Sequence, residues 1–209
     1  MAARKPGNFG LYFITDSRLT RKNAVDDAKA AINAGVKVIQ YREKEKHTMH
    51  MVDEARKIKE LCMGKNILFL INDRIDVALA VDADGIHLGQ EDMPYANARK
   101  LLGTKKIIGM SAHSFKDALQ NQKLGADYTS IGPIYYTATK KDAKEPIGLD
   151  SIRKLKNKLK IPFVAIGGIN ESNIDDVLKA GARNVAVISA IVSKENVEER
   201  VKFFIKKIK

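Results

Sequence analysis

The sequence predicts a single-domain (β/α)8 TIM barrel, and three observations predict it. Eight short apolar or β-branched runs recur along 209 residues, each followed by a segment of helical period. The runs are bounded by polar or glycine residues and do not alternate, as expected of parallel strands buried on both faces. The joins share one grammar of helix, glycine stop, tight turn and strand, seen in NAGVKVIQ, KLGADYTS and KAGARNVAV. Eight units in 209 residues leave about 26 residues each, close to the minimum for a strand, two loops and a helix.

The first strand is expected at Leu11–Ile14, and a helix over 23–33 carries Ala24, Ala28, Ala31 and Ile32 on one side before Gly35 stops it. A strand at 36–40 leads to a helix at Thr48–Cys62 with Met51, Ala55 and Ile58 inward. A strand at 67–71 precedes a short helix at Ile75–Ala80, and Gly85–Leu88 precedes Tyr95–Leu102. A strand at 107–110 precedes the helix Phe115–Leu124. In the second half, a strand at 127–131 leads through a long loop to a helix over 151–159. Phe163–Ile166 precedes a helix over 173–179, and a strand at 184–188 precedes the last helix, over 196–208.

A doubly wound open sheet would normally have fewer strands and a glycine-rich first turn; the first turn here is TDSRLT, with no glycine. No linker rich in Pro, Gly or Ser splits the chain, so one domain over residues 1–209 is expected.

Bulk composition narrows the function classes. With 44% apolar residues the chain can bury a sizeable core, and its scattered charges argue against disorder. The lone Cys62, between Leu61 and Met63, excludes an intrachain disulfide and reads as a buried structural thiol in a reducing compartment. The apolar run near the start is too short for a secretory segment, and nothing approaches the roughly 20 residues a membrane span needs. A soluble, cytoplasmic protein is therefore expected. The net charge of +12 would suit nucleic acid, but the excess is spread along the chain. No reading helix, aromatic strand face or zinc framework accompanies it, so neither nucleic acid nor membrane is expected as a partner. Phe203 and Phe204 read as packing residues. A homo-oligomer stays open.

In such a barrel the active site forms at the C-terminal ends of the strands. Those ends carry Gln40, Arg42 and Lys44; Asn72 and Asp73; His87, Gln90, Glu91 and Asp92; Ser111 and His113; Thr137, Thr139 and Lys140; Gly167 and Gly168; and Ser189. The strands themselves are nearly free of charge, and this asymmetry is the main functional signal. Arg42 and Lys44 lie two apart in an extended continuation, so both can point one way, with Glu43 opposite. A guanidinium fork and an ammonium suit a pyrophosphate or paired phosphates; the competing reading is a surface salt-bridge cluster.

Asp73 and Asp92 follow neighbouring strands, which lie about 4.8 Å apart, so the two carboxylates can share one cation. Two carboxylates completed by water and phosphate oxygens are what Mg²⁺ prefers. Either residue alone would be ordinary helix N-cap chemistry; Glu91 is a weaker ligand. Gly167 and Gly168, after a buried strand, let backbone N–H groups approach a phosphorylated ligand, with Ser189 beside them after the eighth strand. The loop GPIYYTATKKDAKEPIG can supply Thr137, Thr139 and Lys140 and close over a substrate. His87 is expected to face the pocket, His113 to do likewise or cap the fifth helix, and His47 and His50 to lie on the surface.

The strings IQYREK, LINDR, ADGIHLGQED, IIGMSAHS, GADYTSIGPIY and IPFVAIGGI, running in this order from LYFITD to VISAI, resemble the thiamine phosphate synthase family over nearly the whole chain. The resemblance implies an Mg²⁺-assisted transferase joining 4-amino-2-methyl-5-hydroxymethylpyrimidine pyrophosphate to 4-methyl-5-(2-phosphoethyl)thiazole, with pyrophosphate released. It implies that Gln40, Arg42, Lys44, Asn72, Ser111 and Lys140 surround the pyrophosphate and that Asp73 and Asp92 hold Mg²⁺. By the same resemblance Thr137, Thr139, Gly168, Ile188 and Ser189 receive the thiazole phosphate, and His87 lies near the pyrimidine. Tyr136 stands where the family usually has proline, and VAVISAI lacks a glycine often found before this strand. The nearest alternative is a barrel that only isomerises or binds the thiazole phosphate, which would not need Arg42, Lys44, Asp73, Asp92 and Lys140 together.

Overall fold

Short strands carrying apolar residues on both faces can be satisfied only between two layers, and the chain builds those layers by closing on itself. A computed structural model describes residues 7–139 and 144–209. Among the described residues, eight parallel strands form a closed barrel in chain order. They are β1 (Leu11–Ile14), β2 (Val38–Tyr41), β3 (Leu68–Asn72), β4 (Gly85–Leu88), β5 (Ile107–Ala112), β6 (Tyr128–Ile131), β7 (Phe163–Ile166) and β8 (Val185–Val187). β8 closes onto β1, with Tyr12 beside Ala186.

Alternation along each strand sorts the core. In β1, Leu11 and Phe13 turn outward to the helices, while Tyr12 and Ile14 turn into the barrel. The interior is filled by Tyr12, Ile14, Val38, Leu70, Ile107, Tyr128, Val164 and Ala186. The outer ring consists of α1 (Ala24–Ala34), α2 (Thr48–Cys62), α3 (Ile75–Ala80), α4 (Tyr95–Leu102), α5 (Phe115–Leu124), α6 (Gly148–Leu155), α7 (Ile174–Ala180) and α9 (Val197–Ile208). Left-handed glycines at 35, 125 and 181 stop α1, α5 and α7, as the repeated grammar required. Cys62 is buried at the end of α2, and burial pushes its thiol up to about 11.

Most strand and helix boundaries fall within two residues of those expected, and two differences are larger. The helix expected over 151–159 begins earlier and ends sooner, at Gly148–Leu155, with Ile152 and Leu155 buried. An unforeseen four-residue helix, α8 (Ser189–Val192), follows β8 directly; it buries Ala190, Ile191 and Val192 and puts Ser189 at its first turn. Among the described residues no helix is long and apolar enough to cross a membrane.

Candidate active site

A cavity of about 750 Å³ opens at the C-terminal end of the barrel. Gln40, Arg42, Lys44, Asn72, Asp73, His87, Asp92, Ser111, Thr137, Thr139, Gly168, Ile188 and Ser189, brought from β2 to the start of α8, all border it. Lys140, expected among them, lies outside the described residues.

The cations are already paired. Arg42 donates to Asp16, which is 1% exposed, and Arg18 donates to the same carboxylate at 3.3 Å. Arg18 also donates to the Thr139 carbonyl at 2.8 Å, tying the end of β1 to the long loop before α6. Lys44 forms an ion pair with Asp73. Glu43 points away from the cavity, as strand alternation demands. Its Oε1 accepts from the backbone N–H groups of Lys44 and Glu45 at 2.7 and 2.8 Å, shaping the turn that presents Lys44. Burial opposes its charge, yet those backbone donors and Ser17 hold its carboxyl below the usual range.

The two aspartates meet as the neighbouring strands required. Asp73 adopts a left-handed backbone, φ 59°, with its N–H donating to the His87 carbonyl at 2.9 Å. Asp92 accepts from the Gly89 N–H at 2.6 Å. Burial, and then the facing Asp73 carboxyl, raise the Asp92 pKa above the ordinary carboxylate range. Two hard oxygen donors whose repulsion is only partly relieved by Lys44 fit a divalent cation. Among the described residues no cluster of three or more His, Cys, Asp or Glu side chains forms a metal cage. Two carboxylates are a donor set that could hold Mg²⁺, a cation that keeps water and substrate oxygens in its remaining positions.

His87 sits at the floor of the cavity, 8% exposed. Its Nδ1 lies 2.9 Å from the Tyr128 hydroxyl and its Nε2 3.0 Å from the Ser111 hydroxyl. Burial lowers its pKa to about 4, only partly offset by Asp92, so the imidazole is neutral near pH 7. His113 also lines the cavity, but its Nδ1 donates to the Gly132 carbonyl at 2.8 Å; Ser114, accepting from Asp117 N–H, caps α5. His47 and His50 are exposed, as expected.

Gly168 faces the loop before α6. With φ +65° and the Tyr136 carbonyl only 2.3 Å from where a Cβ would lie, the position admits no side chain. Asn170 and Asn173 donate to the Gly168 carbonyl, at 3.3 and 2.9 Å, which fixes the turn between β7 and α7. Ile188 and Ser189 border the same side of the cavity, at the start of α8.

Sequence reasoning missed Asp16, Arg18, Tyr12, Tyr128 and Ser130; Ser130 Oγ lies 3.4 Å from His87 Nε2 and, like Arg18 and both tyrosines, borders the cavity. The first two follow β1 directly and were open to the strand-end rule that found the others. The tyrosines read as apolar strand residues; the available signal was that a buried tyrosine hydroxyl requires a partner.

The chain matches the family model described as thiamine monophosphate synthase over residues 11–191. It is 52% identical over 198 residues to the thiamine-phosphate synthase of Methanosarcina barkeri, covering 95% of this chain and 90% of that one. Identity to the thiamine-phosphate synthase of Chloroflexus aurantiacus is 49% over 188 residues, 90% of this chain and 87% of the relative. A solved thiamine phosphate pyrophosphorylase from Pyrococcus furiosus superposes with a TM-score of 0.88 at 41% identity, covering 96% of both chains.

Proposed function

Since the chain belongs to the thiamine monophosphate synthase family, we propose that its rim cavity couples a pyrimidine methyl pyrophosphate to a thiazole phosphate, with loss of pyrophosphate, at the residues just described. The observation that carries this reading is the placement of a cationic pair, Arg42 and Lys44, against a carboxylate pair, Asp73 and Asp92, at one end of one cavity. A barrel that only bound or isomerised a phosphate would need neither pair.

The thiazole nitrogen attacks the methylene carbon while the carbon–oxygen bond to pyrophosphate breaks early. The developing cation is spread into the aminopyrimidine ring. Asp73 and Asp92 would hold Mg²⁺, which when bound supplies charge neutralisation for the pyrophosphate. Arg42, held by Asp16, and Lys44 meet the charge gathering on the leaving group. At about 4 Å and an effective dielectric near 20, one such pair is worth roughly 4 kcal/mol before desolvation. Asn72 and Ser111 donate hydrogen bonds to the same group, and Lys140 adds a further cation. Thr137, Thr139, Gly168, Ile188 and Ser189 hold the thiazole phosphate, so that its nitrogen stays in line with the methylene carbon.

The test is pyrophosphate release measured with each organic substrate alone and with both, with and without Mg²⁺. Release that depends on both substrates and on the metal supports coupling. Release from the pyrimidine substrate alone at the same rate would reduce the enzyme to a phosphatase.

A further inference from the structure

Beneath the cavity a file of hydrogen-bonding groups crosses the barrel interior. The Gln40 amide nitrogen lies 2.9 Å from the Tyr12 hydroxyl, which lies 2.7 Å from the Tyr128 hydroxyl. Tyr128 continues to His87 Nδ1 at 2.9 Å, and His87 Nε2 reaches Ser111 Oγ at 3.0 Å, with Ser130 Oγ farther off at 3.4 Å. Tyr12 and Tyr128 are 2% and 1% exposed, so water does not interrupt the file. The fold makes room for it: a Cβ at Gly109, on the strand beside β6, would fall 2.0 Å from the Tyr128 ring.

Each hydroxyl in the file has one proton, and a neutral imidazole has one N–H. The protons therefore align as a set. With the Gln40 amide donating to Tyr12, Tyr12 donates to Tyr128 and Tyr128 to Nδ1. His87 then carries its proton on Nε2 and gives it to Ser111 Oγ, which leaves the serine's own proton directed to the cavity. The opposite alignment consumes the Ser111 proton at Nε2 and turns a lone pair to the cavity instead. A mixed arrangement would set two donors or two acceptors against each other along Tyr12, Tyr128 and Nδ1, where the file offers no other partner; at Nε2 the Ser130 hydroxyl, 3.4 Å away, is a longer second contact beside Ser111.

We infer that Tyr12, Tyr128 and His87 form a relay that fixes the imidazole as the Nε2–H tautomer and thereby makes Ser111 a committed hydrogen-bond donor to the anionic end of the substrate. Tyr128 is a positioning residue in this scheme: it acts on the substrate only through His87 and Ser111. The direction of the file suits an anion at Ser111 and disfavours a neutral donor there. This rests on the reading above insofar as that reading brings the pyrophosphate to Ser111.

Nitrogen-15 NMR of the imidazoles in the ligand-free enzyme, with His87 assigned by its loss in H87Q, reads the tautomer without any substrate. The expected result is a pyridine-type Nδ1 and a pyrrole-type Nε2; the reverse pattern in active enzyme would overturn the relay alone. Absence of coupling activity together with the expected tautomer would overturn the proposed reaction and leave the relay standing. In Y128F the Nδ1–H tautomer should appear, and KM for the pyrimidine pyrophosphate should rise about tenfold, as for one lost charge-assisted hydrogen bond, with KM for the thiazole phosphate unchanged. The double variant Y128F/S111A should be no worse than S111A. Losses that multiply in the double variant would show that Tyr128 and Ser111 act separately.

Discussion

Lys44 of the turn after β2 is ion-paired with Asp73 just past the end of β3, so an ammonium and a carboxylate neutralise each other at the rim of the cavity. On the proposed reading, Mg²⁺ would take Asp73 and pyrophosphate would take Lys44, giving each a new partner of opposite charge. The two ligands are thereby expected to bind cooperatively.

Replacing Asp73 with Asn removes one of the two carboxylates of the proposed magnesium site and frees Lys44. The expected outcome is a kcat at least about tenfold lower and a clear rise in the Mg²⁺ concentration needed for half-maximal activity. Steady-state rates across a magnesium titration check this; full turnover at limiting magnesium would remove Asp73 from the metal site.

Asp16 holds both Arg42 and Arg18 while lying 1% exposed, so its charge supports the site from behind. D16N keeps the volume but loses the ion pairs. KM for the pyrimidine pyrophosphate should rise about tenfold, because Arg42 no longer arrives pre-aimed. Thermal melting of the same variant separates this effect from loss of fold.

Gly168→Ala forces a side chain into a left-handed turn against the Tyr136 carbonyl. Stability should fall by at least about 1 kcal/mol, and the displaced loop should raise KM for the thiazole phosphate more than it lowers kcat. Ser189→Ala, which leaves the turn intact, should raise the same KM without the loss of stability. Urea unfolding and kinetics on the pair of variants distinguish the two.

Strand ends made most of this site legible in the sequence. Asp73 and Asp92 were placed together by strand order, and Arg42 and Lys44 by alternation; in the structure the same residues border one cavity. The pairing of Arg42 with Asp16 was missed although β1 and β2 are neighbours in the same strand order, because Asp16, the second residue after β1, was not counted among the strand-end groups. Tyr12 and Tyr128, 116 residues apart, behave in a linear reading like any other buried strand residues. Helix α8 has four residues, too few to show a helical period.

His87 gives a pH signature. Its folded pKa of about 4 lies below the 6.5 of the free side chain. Between those values the unfolded chain binds a proton that the folded one refuses, so this group's contribution to stability is lost as pH falls from 6.5 through 4. The full contribution is on the order of 3 kcal/mol. Urea unfolding of wild type and H87Q at pH 7 and pH 5 should show a smaller drop in the variant; an equal drop would refute the burial argument.

Cys62 should resist thiol reagents in the native enzyme, since its thiol is buried and raised to about 11. An aromatic disulfide reagent at pH 8 should react only after denaturant is added, and C62A should keep full coupling activity. Rapid labelling of native protein would refute this.

Closure of β8 onto β1 has a consequence for the molecule's behaviour in crowded solution. Among the described residues the ring of strands offers no unpaired backbone rim on which a foreign chain could be templated, so the barrel gives intermolecular sheet no starting line. Association between copies would have to use helix faces and loops, and sheet-type aggregation would require the ring to open first.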